Sequence, residues 1–293
     1  MNKPIYKLHD WIDESKLYFK YLSKNPNAIE LLKTNIDKID WYYLSANPNA
    51  MEIITDNKNK VYWYYLSENP NAIELLKANP DKISWFNLSL NPNAIELLEA
   101  NQDRINWFCL SENPNAIELL KANPEKIHWG YLSINENAID LLTDNQDKIN
   151  WNYLSTNKNA IELLKANQDK INWIYFSANP SAIELLTANP DRINWDYLSL
   201  NPSAIELLTK NPDKINWGYI SQNPNAIKLI IDKLNKIEWY LLSTNPNIFK
   251  LDYKQMEINF EPFAEEIVAK ALHPKRIERL MRDYGFDFED WFD

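Results

Sequence analysis

Glycine is scarce in this chain of 293 residues, which contains only Gly130, Gly218 and Gly285. Phosphate-binding loops and dinucleotide folds need glycine where the backbone turns tightly or touches a pyrophosphate, and neither G-x-G-x-x-G nor G-x-x-x-x-G-K-[ST] occurs. The single cysteine, Cys109, and three histidines cannot assemble a disulfide framework or a Cys/His zinc cluster. The sequence therefore excludes nucleotide sites of those kinds and predicts no metal and no cofactor.

Long apolar runs are also missing, and acidic residues outnumber basic ones. No stretch of 18 apolar residues and no signal-peptide core is present, so we expect neither a membrane-spanning helix nor secretion by that route. The 31 Lys and Arg residues against 41 Asp and Glu residues leave a net charge of −10. This charge disfavours nucleic acid and anionic membranes as partners.

Tryptophan marks an internal repeat. Ten tryptophans between Trp41 and Trp239 lie 22 residues apart, and Phe19 extends the series backwards. The unit reads W-x-Y-L-S-x-N-P-N-A-I-E-L-L-K-A-N-P-D-K-I-N and begins eleven times; we number its positions 1 to 22 from the aromatic residue. Ser at position 5 and Asn at position 7 occur in every copy, and we expect them to act as caps and backbone-bonding ladders. A fixed period of this length indicates a repeat architecture.

Each unit predicts two short helices. Asn before Pro at positions 7 and 17 is an N-cap pattern, because Pro at the first helical position has no N–H to leave unpaired. Apolar residues such as Ala72, Ile73, Leu75 and Leu76 recur with the spacing of one helical face. Helices of about 8 to 10 residues do not persist alone in water, so they must stack.

The predicted fold is therefore all-α: a right-handed α-solenoid of eleven 22-residue two-helix repeats with helical caps. With layers roughly 8–10 Å apart, it would be about 100 Å long and have two free ends. We expect an N-terminal cap at residues 1–18, the solenoid at 19–250 and a C-terminal helical cap at 251–293. The tryptophans are predicted to form the sealed structural core: Trp41, Trp63, Trp85, Trp107, Trp129, Trp151, Trp173, Trp195, Trp217 and Trp239.

The unit N-P-N-A-I-E-L-L, followed by D-K-I-N-W and Y-L-S, resembles the short tandem repeats of proteins encoded in multiple copies by nucleocytoplasmic large DNA viruses of amoebae and algae. The likeness covers nearly the whole chain, including its opening and closing segments, Tyr6–Leu8, Asp10–Ile12, Leu251–Tyr253, Phe263–Glu266 and His273-Pro274. The resemblance implies a viral protein and no catalytic residues. The expected location is the host cell cytoplasm or the virion.

Positions that vary between repeats carry the predicted binding surface. Positions 2 and 6 are four residues apart and share one helix face. Position 2 begins with consecutive aromatic residues and later becomes small and polar, so we predict a groove for an extended peptide or a partner helix, anchored at its aromatic end. The alternative is that these are solvent-facing positions free to drift. The predicted partner-binding residues are Tyr42, Tyr64, Phe86, Phe108, Leu90, Ile134, Ile174 and Asp196.

A basic residue recurs at position 20, from Lys38 to Lys236. This ladder could follow a phosphate backbone, which makes a nucleic-acid-binding repeat protein the alternative function. However, one cation per layer of roughly 10 Å is sparse beside a duplex that carries a charge every ~1.7 Å. A solvated face with ordinary ion pairs, such as Glu74 with Lys77, is the favoured interpretation.

Two pairs of residues depart from the repeat. Glu136 and Lys158 replace Pro in adjacent repeats, and we predict that they approach each other across the stack. Cys109 and His128 are 19 residues apart and could form a Cys/His nucleophile pair, although ordinary substitution is the favoured interpretation. The acidic and aromatic residues at 286–293 could form a docking tail, but we favour a role in sealing the last layer.

The predicted function is a non-enzymatic scaffold that mediates protein–protein interaction through its variable surface stripe. The expected partner is a protein or peptide, with nucleic acid disfavoured and no membrane. The chain is expected to be monomeric, and self-association is left open.

Overall fold

The computed structural model describes residues 4–260, together with His273, Lys275, Arg276 and Arg279. The chain forms two compact units: Leu8–Phe249, which holds the repeats, and Met1–Lys7 with Lys250–Asp293. The described part is mostly helical, in short pieces that recur along the chain. No helix in that part is long and apolar enough to cross a membrane. Most of the predicted C-terminal cap and the whole of residues 286–293 lie outside the described residues.

Each repeat opens with an α-helix at position 1, which we call the first helix. The residue just before it usually caps it; for example, Asn106 Oδ1 accepts a hydrogen bond from the N–H of Cys109 at 3.0 Å. The first helices are Phe19–Leu22, Trp41–Ala46, Trp63–Leu66, Trp85–Leu88, Trp107–Glu112, Trp129–Leu132, Trp151–Leu154, Trp173–Ser177, Trp195–Leu200, Trp217–Ile220 and Trp239–Leu242.

A second helix begins at position 11, after the N-P-N-A turn. Asn47 Oδ1 accepts a hydrogen bond from the N–H of Asn49 at 3.0 Å, so the capping role predicted for position 7 is confirmed. The second helices are Ile29–Lys33, Met51–Asp56, Ile73–Lys77, Ile95–Glu99, Ile117–Lys121, Ile139–Asp144, Ile161–Ala166, Ile183–Ala188, Ile205–Lys210 and Ile227–Ile230. Short 3₁₀ pieces precede or follow some of them, at Pro48–Ala50, Lys158–Ala160, Pro224–Ala226, Ile231–Lys233 and Pro246–Ile248.

The helices are shorter than predicted because the second Asn-Pro motif forms only a 3₁₀ turn. In one repeat this turn is Pro80–Lys82, and Ile83 after it is extended, at φ −67° and ψ 124°. Asn79 does not cap the turn; its Nδ2 donates to the Leu75 carbonyl at 2.9 Å, which helps to end the preceding helix. The N-cap prediction is therefore wrong at position 17. The other turns of this type are Ile36–Lys38, Gln102–Arg104, Pro124–Lys126, Gln146–Lys148, Gln168–Lys170, Pro190–Arg192 and Pro212–Lys214.

The core of each repeat consists of small and branched aliphatic residues. Leu66, Ala72 and Leu76, at positions 4, 10 and 14, are all fully buried, and most other repeats bury the same types at these positions. The core of each repeat is therefore aliphatic, and the polar side chains buried with it are those of Ser and Asn.

Buried Ser and Asn side chains bond each repeat to the next. Ser89 Oγ donates to the Trp85 carbonyl and accepts a hydrogen bond from the N–H of Asn106, the residue that caps the first helix of the following repeat, at 2.7 and 3.0 Å. Asn91 Nδ2 donates to the carbonyls of Ser67 and Asn69, in the preceding repeat, at 3.0 and 2.9 Å. The ladders predicted for positions 5 and 7 are confirmed, because buried polar groups must find such partners.

The same bonds join the first repeat to the last. Asn25 Nδ2 donates to the carbonyls of Ser243 and Asn245 at 3.1 and 2.9 Å. The N–H of Tyr18 donates to Ser243 Oγ at 3.0 Å. The unit Leu8–Phe249 is therefore a closed ring of layers, and the predicted open stack with two free ends is wrong. The stack length of about 100 Å that follows from layers roughly 8–10 Å apart therefore corresponds to the circumference of the ring.

Both ends of this unit contribute to the repeat that begins at Trp239. The 3₁₀ turn Glu14–Lys16 lies 22 residues before Ile36–Lys38 and occupies the corresponding place in the repeat. Lys16 Nζ lies 5.2 Å from the centroid of a Trp239 ring, as Lys38 Nζ lies 4.6 Å from that of Phe19. These contacts place residues 13–18 in the last repeat, whereas the sequence predicted a cap on the first.

A strand begins at Phe249, position 11 of that repeat, where other repeats begin a second helix. The two strands of the structure are β1, Tyr6–Leu8, and β2, Phe249–Leu251, which form a two-stranded sheet. The N–H of His9 donates to the Ile248 carbonyl at 3.0 Å and that of Asp252 to the Ile5 carbonyl at 2.8 Å, so the strands are antiparallel. The all-α prediction is therefore wrong at this sheet. Helical backbone follows at residues 253–260.

Candidate binding surface

The tryptophans are half-buried, and a cation lies over each ring. Lys126 Nζ is 4.4 Å from the centroid of Trp107, and Arg104 Cζ is 5.2 Å from that of Trp85. The prediction of a sealed tryptophan core is wrong, because the fully buried apolar residues are mainly aliphatic, such as Leu66, Ala72 and Leu76. The half-buried rings are those of Trp41, Trp63, Trp85, Trp107, Trp129, Trp151, Trp173, Trp195, Trp217 and Trp239.

The Lys and Arg residues of the basic ladder at position 20 make cation–π contacts with these rings. Each Lys or Arg covers the position-1 ring of its own repeat, as Lys60 covers Trp41 at 5.1 Å. A cation–π contact of this kind contributes ~0.5–1 kcal/mol at an exposed site. The ladder therefore has a structural partner within the repeat, which weakens the case for a row of phosphate contacts.

Predicted ion pairs between repeats and within helices are present. Lys158 Nζ lies 2.7 Å from Glu136 Oε2, which confirms their predicted approach across neighbouring repeats. Lys77 Nζ lies 3.1 Å from Glu74 Oε1, as the solvated face predicts. Exposed pairs of this type contribute about 0–1 kcal/mol.

Cys109 and His128 do not form an activated nucleophile. Cys109 is only 4% exposed, and burial, with smaller effects of Glu112 and Glu68, raises the pKa of its thiol to about 11. His128 Nδ1 accepts a hydrogen bond from the N–H of Tyr131 at 3.2 Å and so caps the first helix of its repeat. In the described residues, no group of three or more His, Cys, Asp or Glu side chains could hold a metal ion.

Aromatic side chains at positions 2, 3 and 22, some exposed and some half-buried, form a continuous surface. Tyr240 contacts Tyr18 and Tyr21 across the closure, with ring centroids 6.3 and 5.7 Å apart. Further along, Tyr64 stacks on Phe86 with centroids 6.5 Å apart. We call this surface the aromatic arc, and its members are Tyr240, Tyr18, Tyr21, Tyr43, Tyr42, Tyr62, Tyr65, Tyr64 and Phe86.

The structure brings together only part of the predicted site. Tyr42, Tyr64 and Phe86 belong to the arc, whereas Phe108 joins a second aromatic cluster with His128 and Tyr131, at centroid distances of 4.5 and 3.9 Å. The remaining predicted residues lie in other repeats or at position 6 and are not in the arc: Leu90 and Ile134 are half-buried, and Ile174 and Asp196 are exposed.

Sequence reasoning missed the arc residues at position 22 and those added by closure. Tyr18 and Tyr62 occupy position 22, where Asn is the commonest residue, and both are 53% exposed. Tyrosine at position 22 was therefore a signal from which the sequence could have identified these two residues. The contact of Tyr240 with the first repeat had no such signal, because an open stack would leave these residues at opposite ends.

The first helices lie on the inner side of the ring. Contacts between neighbouring repeats join mainly their first helices, such as Trp107–Glu112 with Trp129–Leu132. In a closed ring, the elements that lie closest to their neighbours are on the inner circumference. Glu112 ends the first helix of its repeat and Glu68 lies two residues after Trp63–Leu66, so both hold position 6 at the end of an inner helix, in repeats two apart.

The carboxylates of Glu68 and Glu112 both have raised pKa values, and neither forms an ion pair within residues 4–260. Burial raises the pKa of Glu68, against the attraction of Lys24, and burial followed by repulsion from Glu68 raises the pKa of Glu112. Within residues 4–260, neither carboxylate has a Lys or Arg nitrogen within ion-pairing distance. Glu68 lies three residues after Tyr65, whose pKa is raised to about 12, chiefly by its hydrogen bond with Tyr42.

No protein-family model, curated protein or solved structure matches this chain. The function of this chain is therefore inferred from the chemistry of its aromatic arc.

Proposed function

We propose that this chain is a non-enzymatic binding protein that captures a protein or peptide on the aromatic arc. The observation that carries the proposal is the continuous aromatic surface, in which Tyr18, Tyr62 and Tyr64 are about half exposed. Contiguous exposed apolar patches are typical of interaction sites. Tyrosine also supplies a large, rigid contact area and is enriched among residues that dominate binding energy.

The repeat itself does not require aromatic residues at these positions. At position 2, the repeats outside the arc hold residues as different as Gly130, Asn152 and Asp196, while their first helices keep the same start and the same buried leucine. Aromatic residues that the fold does not need, gathered on one arc, favour a role in recognition.

The proposal includes the finer architecture and setting inferred from the sequence. These are eleven repeats in a right-handed solenoid, a monomer, and a viral protein of the host cell cytoplasm or the virion. The resemblance of the repeat unit to tandem-repeat proteins of giant viruses supports the setting. The recurrence of one hydrogen-bonding pattern from repeat to repeat supports the architecture.

The test replaces Tyr64 and Phe86 together by alanine. Linear peptides selected on the wild-type ring from a random library should bind the double variant at least about tenfold more weakly, because hot-spot truncations cost ~2 kcal/mol or more. The melting temperature should change little, because the two side chains are 49% and 44% exposed. Binding is measured by fluorescence anisotropy and melting by circular dichroism.

The matched control replaces Tyr175 and Tyr219, which are exposed tyrosines outside the arc. This variant should retain the selected peptides. Equal binding by the Tyr64/Phe86 variant and the wild type would refute the proposal, and loss of cooperative unfolding would assign these residues to the core. Retention of a single-stranded oligonucleotide, with affinity that falls steeply with salt, would instead favour the nucleic-acid alternative.

A further inference from the structure

We propose that the segment bound by the ring is an extended basic peptide whose alternate side chains, Lys or Arg among them, face the aromatic arc and the carboxylates of Glu68 and Glu112. This inference rests on the proposed function and names the chemistry of its partner.

Charge complementarity selects a basic partner. Glu68 and Glu112 come from repeats two apart, lie at the ends of first helices on the inner side of the ring and have no ion-pair partner within residues 4–260. Their mutual repulsion would be relieved by a cation placed between them. The net charge of −10 also favours the approach of a basic chain.

The tyrosine faces of the arc can accept cations. Lys20 Nζ already lies 5.6 Å from the centroid of Tyr43, within the range of a cation–π contact. Tyr64 and Phe86 have no such cation over their rings in the described part of the chain; Tyr64 lies four residues before Glu68 in the same repeat, and Phe86 lies in the next repeat. A Lys or Arg side chain of the partner would meet an aromatic face and a carboxylate together.

The spacing of the aromatic residues favours an extended backbone. Rings at the same position of adjacent repeats lie 6.5 Å apart for Tyr64 and Phe86 and 6.3 Å apart for Tyr21 and Tyr43. Side chains on one face of an extended chain recur every two residues, about 6.4–6.8 Å. A helix advances only about 5.4 Å per turn, so it would lose register along the arc.

The first repeat limits where the basic peptide binds. Lys20 and Lys24 lie there, and Lys24 is close enough to Glu68 to oppose the rise of its pKa. These cations would repel a basic peptide at that end. The expected footprint therefore runs from Tyr42 to Phe86 on the arc, continues through the second aromatic cluster to Tyr131, and includes both carboxylates.

The experiment compares three fluorescein-labelled peptides of about ten residues at low salt. One alternates Arg and Thr, one has the same composition in two blocks, and one alternates Glu and Thr; Thr favours extended structure. The Arg-Thr peptide should bind about tenfold more tightly than the Glu-Thr peptide and several-fold more tightly than the block peptide. Equal affinity of the two Arg peptides would overturn the extended register.

Variants of the protein test whether Glu68 and Glu112 are the carboxylates that bind the basic side chains of the peptide. Glu68→Gln with Glu112→Gln should weaken binding of the Arg-Thr peptide about tenfold. The control, Glu74→Gln with Glu118→Gln, removes the same charge from second helices and should change affinity less than twofold. Equal losses in both variants would show a general charge effect and overturn the assigned site.

A neutral Leu-Thr peptide separates this inference from the proposed function. The Leu-Thr peptide could bind in a manner that depends on Tyr64 and Phe86, with the Arg-Thr peptide binding no more tightly than it does. That result would refute the inference of a basic partner and would leave the proposed binding function intact. If none of these peptides binds the wild type, and the library also yields no ligand, both proposals fail.

Discussion

At the scale of single residues, the capping residue before the first helix limits which side chains fit at position 2. Gly130 is an example: a Cβ there would lie 3.0 Å from His128 Cε1, so the glycine leaves room for the imidazole that caps the helix. Other repeats have a smaller capping side chain at that place, such as Ser84 or Asn106, and tolerate an aromatic residue at position 2. The identity of position 2 is thus coupled to that of the preceding residue.

Glu68 and Glu112 predict a pH-dependent stability. Their pKa values are raised in the folded ring, so the folded state binds protons more tightly than the unfolded chain. Their favourable contribution is present below the unfolded pKa and is lost as pH rises through the folded pKa. Glu68→Gln with Glu112→Gln should therefore raise the melting temperature at pH 7.5, and the gain should shrink as pH falls through these pKa values.

Thermal melts followed by circular dichroism between pH 7.5 and pH 4 measure this effect. Glu74→Gln with Glu118→Gln is again the matched control, and it should not reproduce the gain at pH 7.5. A wild type that melts higher than the Glu68/Glu112 variant at pH 7.5 would contradict the prediction.

At the scale of the structural element, buried amide bonds hold together helices that are too short to be stable alone. Asn135 Nδ2 donates to the carbonyls of Ser111 and Asn113 at 3.1 and 2.8 Å, and its Oδ1 accepts a hydrogen bond from the N–H of Asn137 at 3.0 Å. One side chain therefore satisfies three backbone groups. The helices themselves span only four to six residues, so packing and these bonds supply their stability.

Asn135→Ala should destabilise the ring strongly. It leaves two buried carbonyls and one N–H without their partner, and each such group costs ~1–3 kcal/mol, so we expect a loss of at least about 3 kcal/mol. The matched control is Asn137→Ser, which should cost less than about 1 kcal/mol, because Ser181 and Ser203 already occupy this position in two repeats. Urea denaturation measures both; equal losses would refute the assigned role.

At the scale of the whole ring, closure makes the first interface equivalent to the internal ones. Asn25 bonds to the last repeat as Asn135 bonds to its own predecessor. Asn25→Ala should therefore cost the same free energy of unfolding as Asn135→Ala, within about 1 kcal/mol. In an open stack Asn25 would be at a free end, and its replacement would be nearly neutral. Urea denaturation of the two variants distinguishes a closed ring from an open one.

Much of the repeat was predictable because its determinants are local. The start of the second helix, the Ser and Asn ladders and the approach of Glu136 to Lys158 all follow from capping chemistry and from the 22-residue period. The half-burial of Trp107 was not predictable, because the period shows only that a position recurs. Whether its ring faces the core or the stem of Lys126 depends on how the helices are turned against each other.

The sequence by itself determined the repeat length, the helical content, the buried aliphatic positions and the aromatic identity of Tyr42, Tyr64 and Phe86. Only the tertiary structure decided that the layers close, that residues 13–18 complete the last repeat, and that Tyr240 joins Tyr18 in one arc. The physical reason is that closure depends on the small rotation between neighbouring repeats. Packing of the first helices against each other sets that rotation, and it accumulates around the chain without a signature in any single unit.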